Sequence, residues 1–120
     1  MANLVLTKEK KEDKLHVFAS GRIDSSNSFD LQSFFNDIFV TGEKKIILDF
    51  NKIEYISSAG LRVVLFIQKK INSLGVNASF KVINVAANVK EVFDMTGFSD
   101  IIMIKTQNED SKDIDQTGEN

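Results

Sequence analysis

What most limits the fold of this chain is the order in which two apolar periodicities alternate along it. Leu4 to Glu9 and Leu15 to Ser20 are short runs of partial period-two alternation, joined by Lys10-Lys11-Glu12-Asp13-Lys14. That is the pattern of a β-hairpin, although no Asn-Gly or Asp-Gly pair fixes its turn. Ser25-Ser26-Asn27-Ser28, rich in capping residues, precedes a stretch where Leu31, Phe34, Phe35, Ile38 and Phe39 recur at three- and four-residue spacing. This predicts a helix with one wide apolar face. Gly42 stands where a helix-ending glycine belongs. Lys44 to Phe50 contains a continuous apolar stretch and suits a strand covered on both faces. Residues 59–74 predict a second helix, with Leu61, Val64, Leu65, Ile71 and Leu74 toward the core and Gly75 at its end. Val63, Phe66 and Ile67 widen its apolar surface, so it is either deeply buried or meets a partner. Ser79 to Asn84 reads as a strand and Asn88 to Met95 as a short helix with Val89, Val92 and Phe93 inward. Ile101 to Ile104, beyond Gly97, reads as a last strand.

The order β-β-α-β-α-β-α-β predicts an α/β fold. Its mixed sheet has an N-terminal β-hairpin, parallel crossovers and about three helices packed against it. At 120 residues there is room for one domain. The ten phenylalanines are expected in its core. The net charge of −2 hides two unlike parts. Residues 106–120 hold five acids against Lys112, leaving residues 1–105 at +2. The expected organisation is therefore a domain over 1–105 and an acidic, disordered end over 106–120, whose other reading is a partner-docking segment. The near-balanced body has no basic stripe, so no direct nucleic-acid partner is expected.

Composition also narrows the chemistry. Without cysteine there is no disulfide framework, thiolate zinc site or cysteine nucleophile. The single histidine, His16, is expected on a strand surface, and no metal or cofactor is expected. No apolar run approaches the roughly 20 residues of a membrane span. The N-terminus turns charged directly after Thr7, unlike a secretory signal, so a cytoplasmic monomer away from the membrane is expected.

The most informative segment is Tyr55-Ile56-Ser57-Ser58-Ala59-Gly60-Leu61-Arg62, at a strand-to-helix junction. Either serine can serve as the N-cap of the following helix, which is the plainest role for such residues. The segment lacks the G-x-S-x-G of a nucleophile elbow and the G-x-x-x-x-G-K-[ST] of a P-loop. Asp24, Asp49, Glu54 and Asp94 are scattered, and each suits capping or surface roles. An enzyme is not expected.

The same segment resembles the signature of the STAS domain, especially that of bacterial anti-sigma factor antagonists, in which a strand leads into Asp-Ser-(Ser/Thr)-Gly-Leu at a helix start. Ser57 falls where the family often has aspartate, Ser58 on the serine that a partner kinase phosphorylates, and Ala59 on the following Ser/Thr. Gly60-Leu61 falls on Gly-Leu. Gly21-Arg22-Ile23-Asp24 resembles the Gly-x-Leu/Ile-Asp at the end of the family's second strand. Val89 to Gly97 resembles its third helix and exit. The resemblance implies a single STAS-type domain acting as an anti-sigma factor antagonist. Unmodified, such a protein binds an anti-sigma factor that is a serine kinase of the histidine-kinase-like ATPase superfamily. Phosphorylation at Ser58, less favourably at Ser57, releases it, and a serine phosphatase resets it. The implied contact surface comprises Asp24, Ser57, Ser58, Ala59, Gly60, Leu61 and Arg62. Asp24 has a rival role capping the first helix, and Arg62 one as a solvated helix residue. Ser57 in place of aspartate removes a carboxylate beside the acceptor, and Ala59 removes a competing hydroxyl. The alternative reading is a STAS interaction module without a serine switch, serving biofilm, secretion or lipid transport.

Overall fold

The computed structural model describes residues 3–107, so the expected acidic end, apart from Thr106 and Gln107, lies outside the described residues. The elements run β1 (Val5–Lys11), β2 (Lys14–Ile23), α1 (Ser28–Val40), β3 (Lys45–Ile56), α2 (Ser58–Asn72), β4 (Ser79–Val85), α3 (Ala87–Met95), a 3-10 turn (Phe98–Asp100) and β5 (Met103–Thr106). The predicted order of strands and helices is present, with the 3-10 turn added. The hairpin turn that lacked a sequence signal is Glu12-Asp13, and Glu12 takes the left-handed conformation at φ 59° that glycine usually fills. Gly42, at φ 89°, does follow the end of α1.

The sheet order is β1-β2-β3-β4-β5, with β1 and β2 antiparallel and every later pair parallel. Parallel crossovers are right-handed as a rule, and three in succession, each to the next strand on the same side, place all three helices on one face. The core lies between that face and the helices. It joins Val17, Leu48 and Val82 from the strands with Phe35 of α1, Val64 of α2 and Phe93 of α3, all fully buried. Among the described residues no helix covers the other face.

This one-sided architecture corrects two expectations. The unbroken apolar run Ile46, Ile47 and Leu48 suits a strand covered on both faces, but β3 is covered by helices on one. Ile46 and Leu48 do join the core, whereas Ile47 points to the open face, hidden only by its neighbours. The phenylalanines divide too. Phe35, Phe50, Phe80 and Phe93 are buried, but Phe18, Phe29 and Phe66 are exposed.

Element boundaries shift for tertiary reasons. β3 extends well past Phe50, because Lys52, Ile53, Tyr55 and Ile56 pair with Ser20, Gly21, Arg22 and Ile23 of β2. That pairing overrides the polar Asn51-Lys52 and Glu54 in its sequence. The final strand begins at Met103 rather than Ile101, after Ile102 has been buried as its anchor and Phe98–Asp100 has formed the 3-10 turn.

Candidate functional site

β2 and β3 end side by side, and the chain that leaves β3 is bonded to the end of β2. The Ser57 N–H donates to the Ile23 carbonyl at 2.9 Å. Ser57 itself is extended, at φ −92° and ψ 174°, and its hydroxyl accepts from the Gly60 N–H at 3.3 Å. Ser57 is therefore the N-cap of α2, and it satisfies one of the backbone donors that the first helical turn leaves open. Ser58, the first helical residue, is exposed, and its hydroxyl makes no hydrogen bond among the described residues. The two serines, interchangeable as caps in the sequence, thus occupy different environments.

Gly60 explains how closely α2 approaches the strand ends. A Cβ built there would lie 2.6 Å from Ile23 Cγ2 and 2.8 Å from Ile56 Cγ1, closer than real Cβ contacts come. Leu61, only 4% exposed, plugs into the core below. Gly60 and Leu61 were expected on the contact surface; both are buried, because the first turn of α2 is pressed onto Ile23 and Ile56. They hold the junction in shape, while Ser58, half-buried Ala59 and exposed Arg62 form its outer side. Arg62 lies one helical turn beyond Ser58 and is in no ion pair among the described residues. The first turn of α2 carries no acid, so nothing there offsets the positive end of its dipole.

Asp24 follows Ile23 directly, beside the strand end to which Ser57 is bonded. Its expected rival role, capping α1, is not what it does. The N-cap position of α1 is Asn27, which makes no side-chain cap bond. Asp24 Oδ1 instead accepts from the Ser26 hydroxyl at 2.6 Å and the Ser26 N–H at 3.0 Å. Those hydrogen bonds from Ser26 hold its carboxyl below the usual carboxylate range. Asn27 completes the loop: its Oδ1 accepts from the Asp24 N–H and its Nδ2 donates to the Arg22 carbonyl, both at 2.9 Å. The helix start stays open because Asn27 is used backward, on the loop, and not forward on α1.

Two neighbouring residues escaped the sequence reading as site residues. The Arg22 guanidinium lies 4.3 Å from the centre of the Tyr55 ring, a cation–π contact on the open side of the strand ends. Both residues are exposed, and they face each other only because β2 and β3 pair Arg22 with Tyr55 after a register irregularity. No local pattern announces that pairing. From α3, Asn88 Nδ2 donates to the Glu54 carbonyl at 3.1 Å and ties a third element to the same edge. The site therefore sits at the carboxyl ends of parallel strands, where open α/β sheets gather their loops. Among the described residues no group of three or more His, Cys, Asp or Glu could hold a metal ion, and no helix is long and apolar enough to cross a membrane.

The fold has known counterparts. The chain is 32% identical over 104 residues to BtrV of Bordetella bronchiseptica, a candidate anti-sigma factor antagonist, covering 87% of this chain and 88% of that one. Its fold is similar to that of a candidate anti-sigma factor antagonist from Thermotoga maritima. The TM-score there is 0.79 at 20% identity, covering 90% of this chain and 92% of the other. It is also similar to the unphosphorylated anti-sigma factor antagonist SpoIIAA, with TM-score 0.71 at 17% identity over 93% and 97% of the two chains. The phosphorylated form of SpoIIAA, a Bacillus cell-fate determinant, gives TM-score 0.65 at 16% identity over 92% and 99%. The STAS domain model matches residues 6–111, nearly the whole length, and the chain belongs to the STAS domain family.

Proposed function

We propose that this protein is an anti-sigma factor antagonist that works by partner switching. Unmodified, it binds an anti-sigma factor that is also a serine kinase of the histidine-kinase-like ATPase superfamily, and so frees the sigma factor. The kinase transfers the γ-phosphoryl group of ATP to the Ser58 hydroxyl, whose proton is lost, and the complex dissociates. A serine phosphatase restores the hydroxyl. The observation that carries this reading is the division of labour between the serines. Ser57 is committed to capping α2, while the Ser58 hydroxyl is exposed and makes no hydrogen bond among the described residues at the same helix start. Membership of a family whose named relatives are anti-sigma factor antagonists supports it.

Electrostatics at Ser58 suit a switch that changes binding without unfolding the domain. A phosphoserine adds about −1.5 to −2 charges and three acceptor oxygens. At the start of α2 it meets free backbone N–H groups and the positive dipole end, favourable by about 0.3–1 kcal/mol. Arg62, one turn on, is a ready counter-ion. The penalty falls on the partner's side of the interface, where a dianion must lose water or face an acid. A hundredfold loss of affinity needs only about 2.7 kcal/mol, modest beside the cost of burying an unpaired charge.

Affinity capture from lysate of the source cells, with wild type and Ser58→Asp as parallel baits, tests the reading. Wild type alone is expected to retain a kinase-type ATPase, and that ATPase with ATP is expected to modify wild type but not Ser58→Ala. Equal capture by both baits would make the chain a constitutive STAS interaction module.

A further inference from the structure

The open face of the sheet, away from the helices and from Ser58, carries two grooves. On it Phe18 and Ile83 flank Asp49, and Ile47 follows in β3 toward the amino ends of the strands. There a groove of about 220 Å³ is lined by Ile47 and Met103 together with Lys14, Lys45 and Lys81. Lys45 is paired with Asp13 at 2.8 Å, whereas Lys14 and Lys81 are in no ion pair among the described residues. Two further carboxylates share the face. Asp49 is engaged by Asn84 Nδ2 and by the Asn51 N–H, and Glu9 stands opposite His16 at the hairpin. The groove itself is net basic over an apolar floor.

The described chain ends on this face. After β5, Gln107 Nε2 donates to Asn51 Oδ1 at 3.3 Å, across the carboxyl end of β4. Asn51 lines a second groove of about 340 Å³ that also contains Phe18 and Val5. Beyond Gln107 the sequence continues Asn-Glu-Asp-Ser-Lys-Asp-Ile-Asp over residues 108–115, with Ile114 its single aliphatic side chain between Asp113 and Asp115.

We propose that residues 108–115 dock along this open face, with Ile114 over Ile47 and Met103 and with Asp113 and Asp115 facing Lys14 and Lys81. The reach suffices. Asn51 to Ile47 is four strand residues, about 13 Å, and the seven residues 108–114 span up to about 23 Å when extended. Covalent attachment holds the segment at roughly millimolar effective concentration, so a weak contact is populated. Docking there keeps the four acids of residues 108–115 away from the Ser58 end of the molecule, where negative charge is the proposed switch. The contact itself does not depend on that reading of Ser58.

The chain has no cysteine, so Ser111→Cys gives a single position for a nitroxide spin label on the otherwise intact protein. Amide NMR signals of His16, Ile47, Lys81 and Met103 are expected to be lost through paramagnetic broadening, with those of α1 and α2 retained. The combined substitution Lys14→Glu and Lys81→Glu, or molar salt, is expected to restore them. Three results overturn the proposal. One is broadening centred on Ser58 and Arg62. The second is broadening of isotope-labelled chains that carry no nitroxide when mixed with unlabelled chains that do, which would mean a second copy. The third is no localised broadening at all.

Discussion

Val17 and Phe18 are neighbours in β2, yet Val17 is 0% exposed beneath the helices and Phe18 is 38% exposed on the other side. The same contrast runs across the sheet, with Leu48 against Asp49 in β3 and Val82 against Lys81 in β4. Alternate residues of one strand serve different ends, because the crossovers place every helix on one face. Apolar side chains on the covered face join the core, whereas Phe18, Ile47 and Ile83 on the open face lie outside it. The two ends of the sheet differ in the same spirit. Lys14 and Lys81, in no ion pair among the described residues, gather at the amino ends. The capped and bonded junction of Asp24, Ser57 and Ser58 occupies the carboxyl ends.

The largest expected effect separates the faces. Phe35→Ala, on the covered side, is expected to destabilise by about 3–5 kcal/mol in urea unfolding. Phe18→Ala should lose less than half as much, and equal losses would break the contrast. Next comes the junction. Gly60→Ala forces a methyl against Ile23 and Ile56, an overpacking of about 1–3 kcal/mol that the better helix propensity of alanine offsets by about 1. A net loss of up to about 2 kcal/mol in the same assay is expected. A stabilised variant would mean that α2 can lift off the strand ends without cost.

The serines give a finer test. Ser57→Ala removes the cap of α2 and is expected to cost about 1 kcal/mol, whereas Ser58→Ala should stay within about 0.5. Thermal unfolding of both variants, side by side, distinguishes the structural serine from the free one. A reversed order would assign the cap to Ser58.

Acid sensitivity should sit on surface carboxylates that hydrogen bonds hold ionised. The Ser99 hydroxyl and Lys90 hold the Asp94 carboxyl below its usual range, as the bonds from Ser26 do for Asp24. A carboxyl depressed in the folded state stabilises it above the unfolded pKa of about 3.9, and that contribution is lost as pH falls through the folded value. Asp94→Asn is therefore expected to lower the urea midpoint at neutral pH and flatten its decline below about pH 4. An unchanged acid limb would place the sensitivity elsewhere. The smallest effect belongs to the hairpin. Glu12→Gly relieves a left-handed residue and should raise stability by up to about 1 kcal/mol in urea unfolding, and a lowered midpoint would mean that the turn carries no such strain.

Much of the fold was readable from local pattern. Leu31, Phe35 and Ile38 share a helical face by spacing alone, and Gly42 marks the end of α1 because few residues tolerate its conformation. The junction motif was equally visible, since Ser57 to Leu61 are adjacent in the chain. What spacing could not assign was which serine caps. That depends on Ser57 being extended and bonded to Ile23, a residue far back in the chain at the end of β2. Nor could it foresee that Asp24 turns to Ser26, or that Arg22 lies on Tyr55.

The sequence by itself determined the order of strands and helices, the glycine-bounded turns and the segment that marks the family, because each is set by neighbours within a few residues. Only the tertiary structure decided which face of the sheet is covered, how far β3 extends, and that Gly60 and Leu61 point inward while Ser58 and Arg62 point out. These depend on register and packing between strands distant in the chain, and the energy of those contacts appears only once the sheet has assembled.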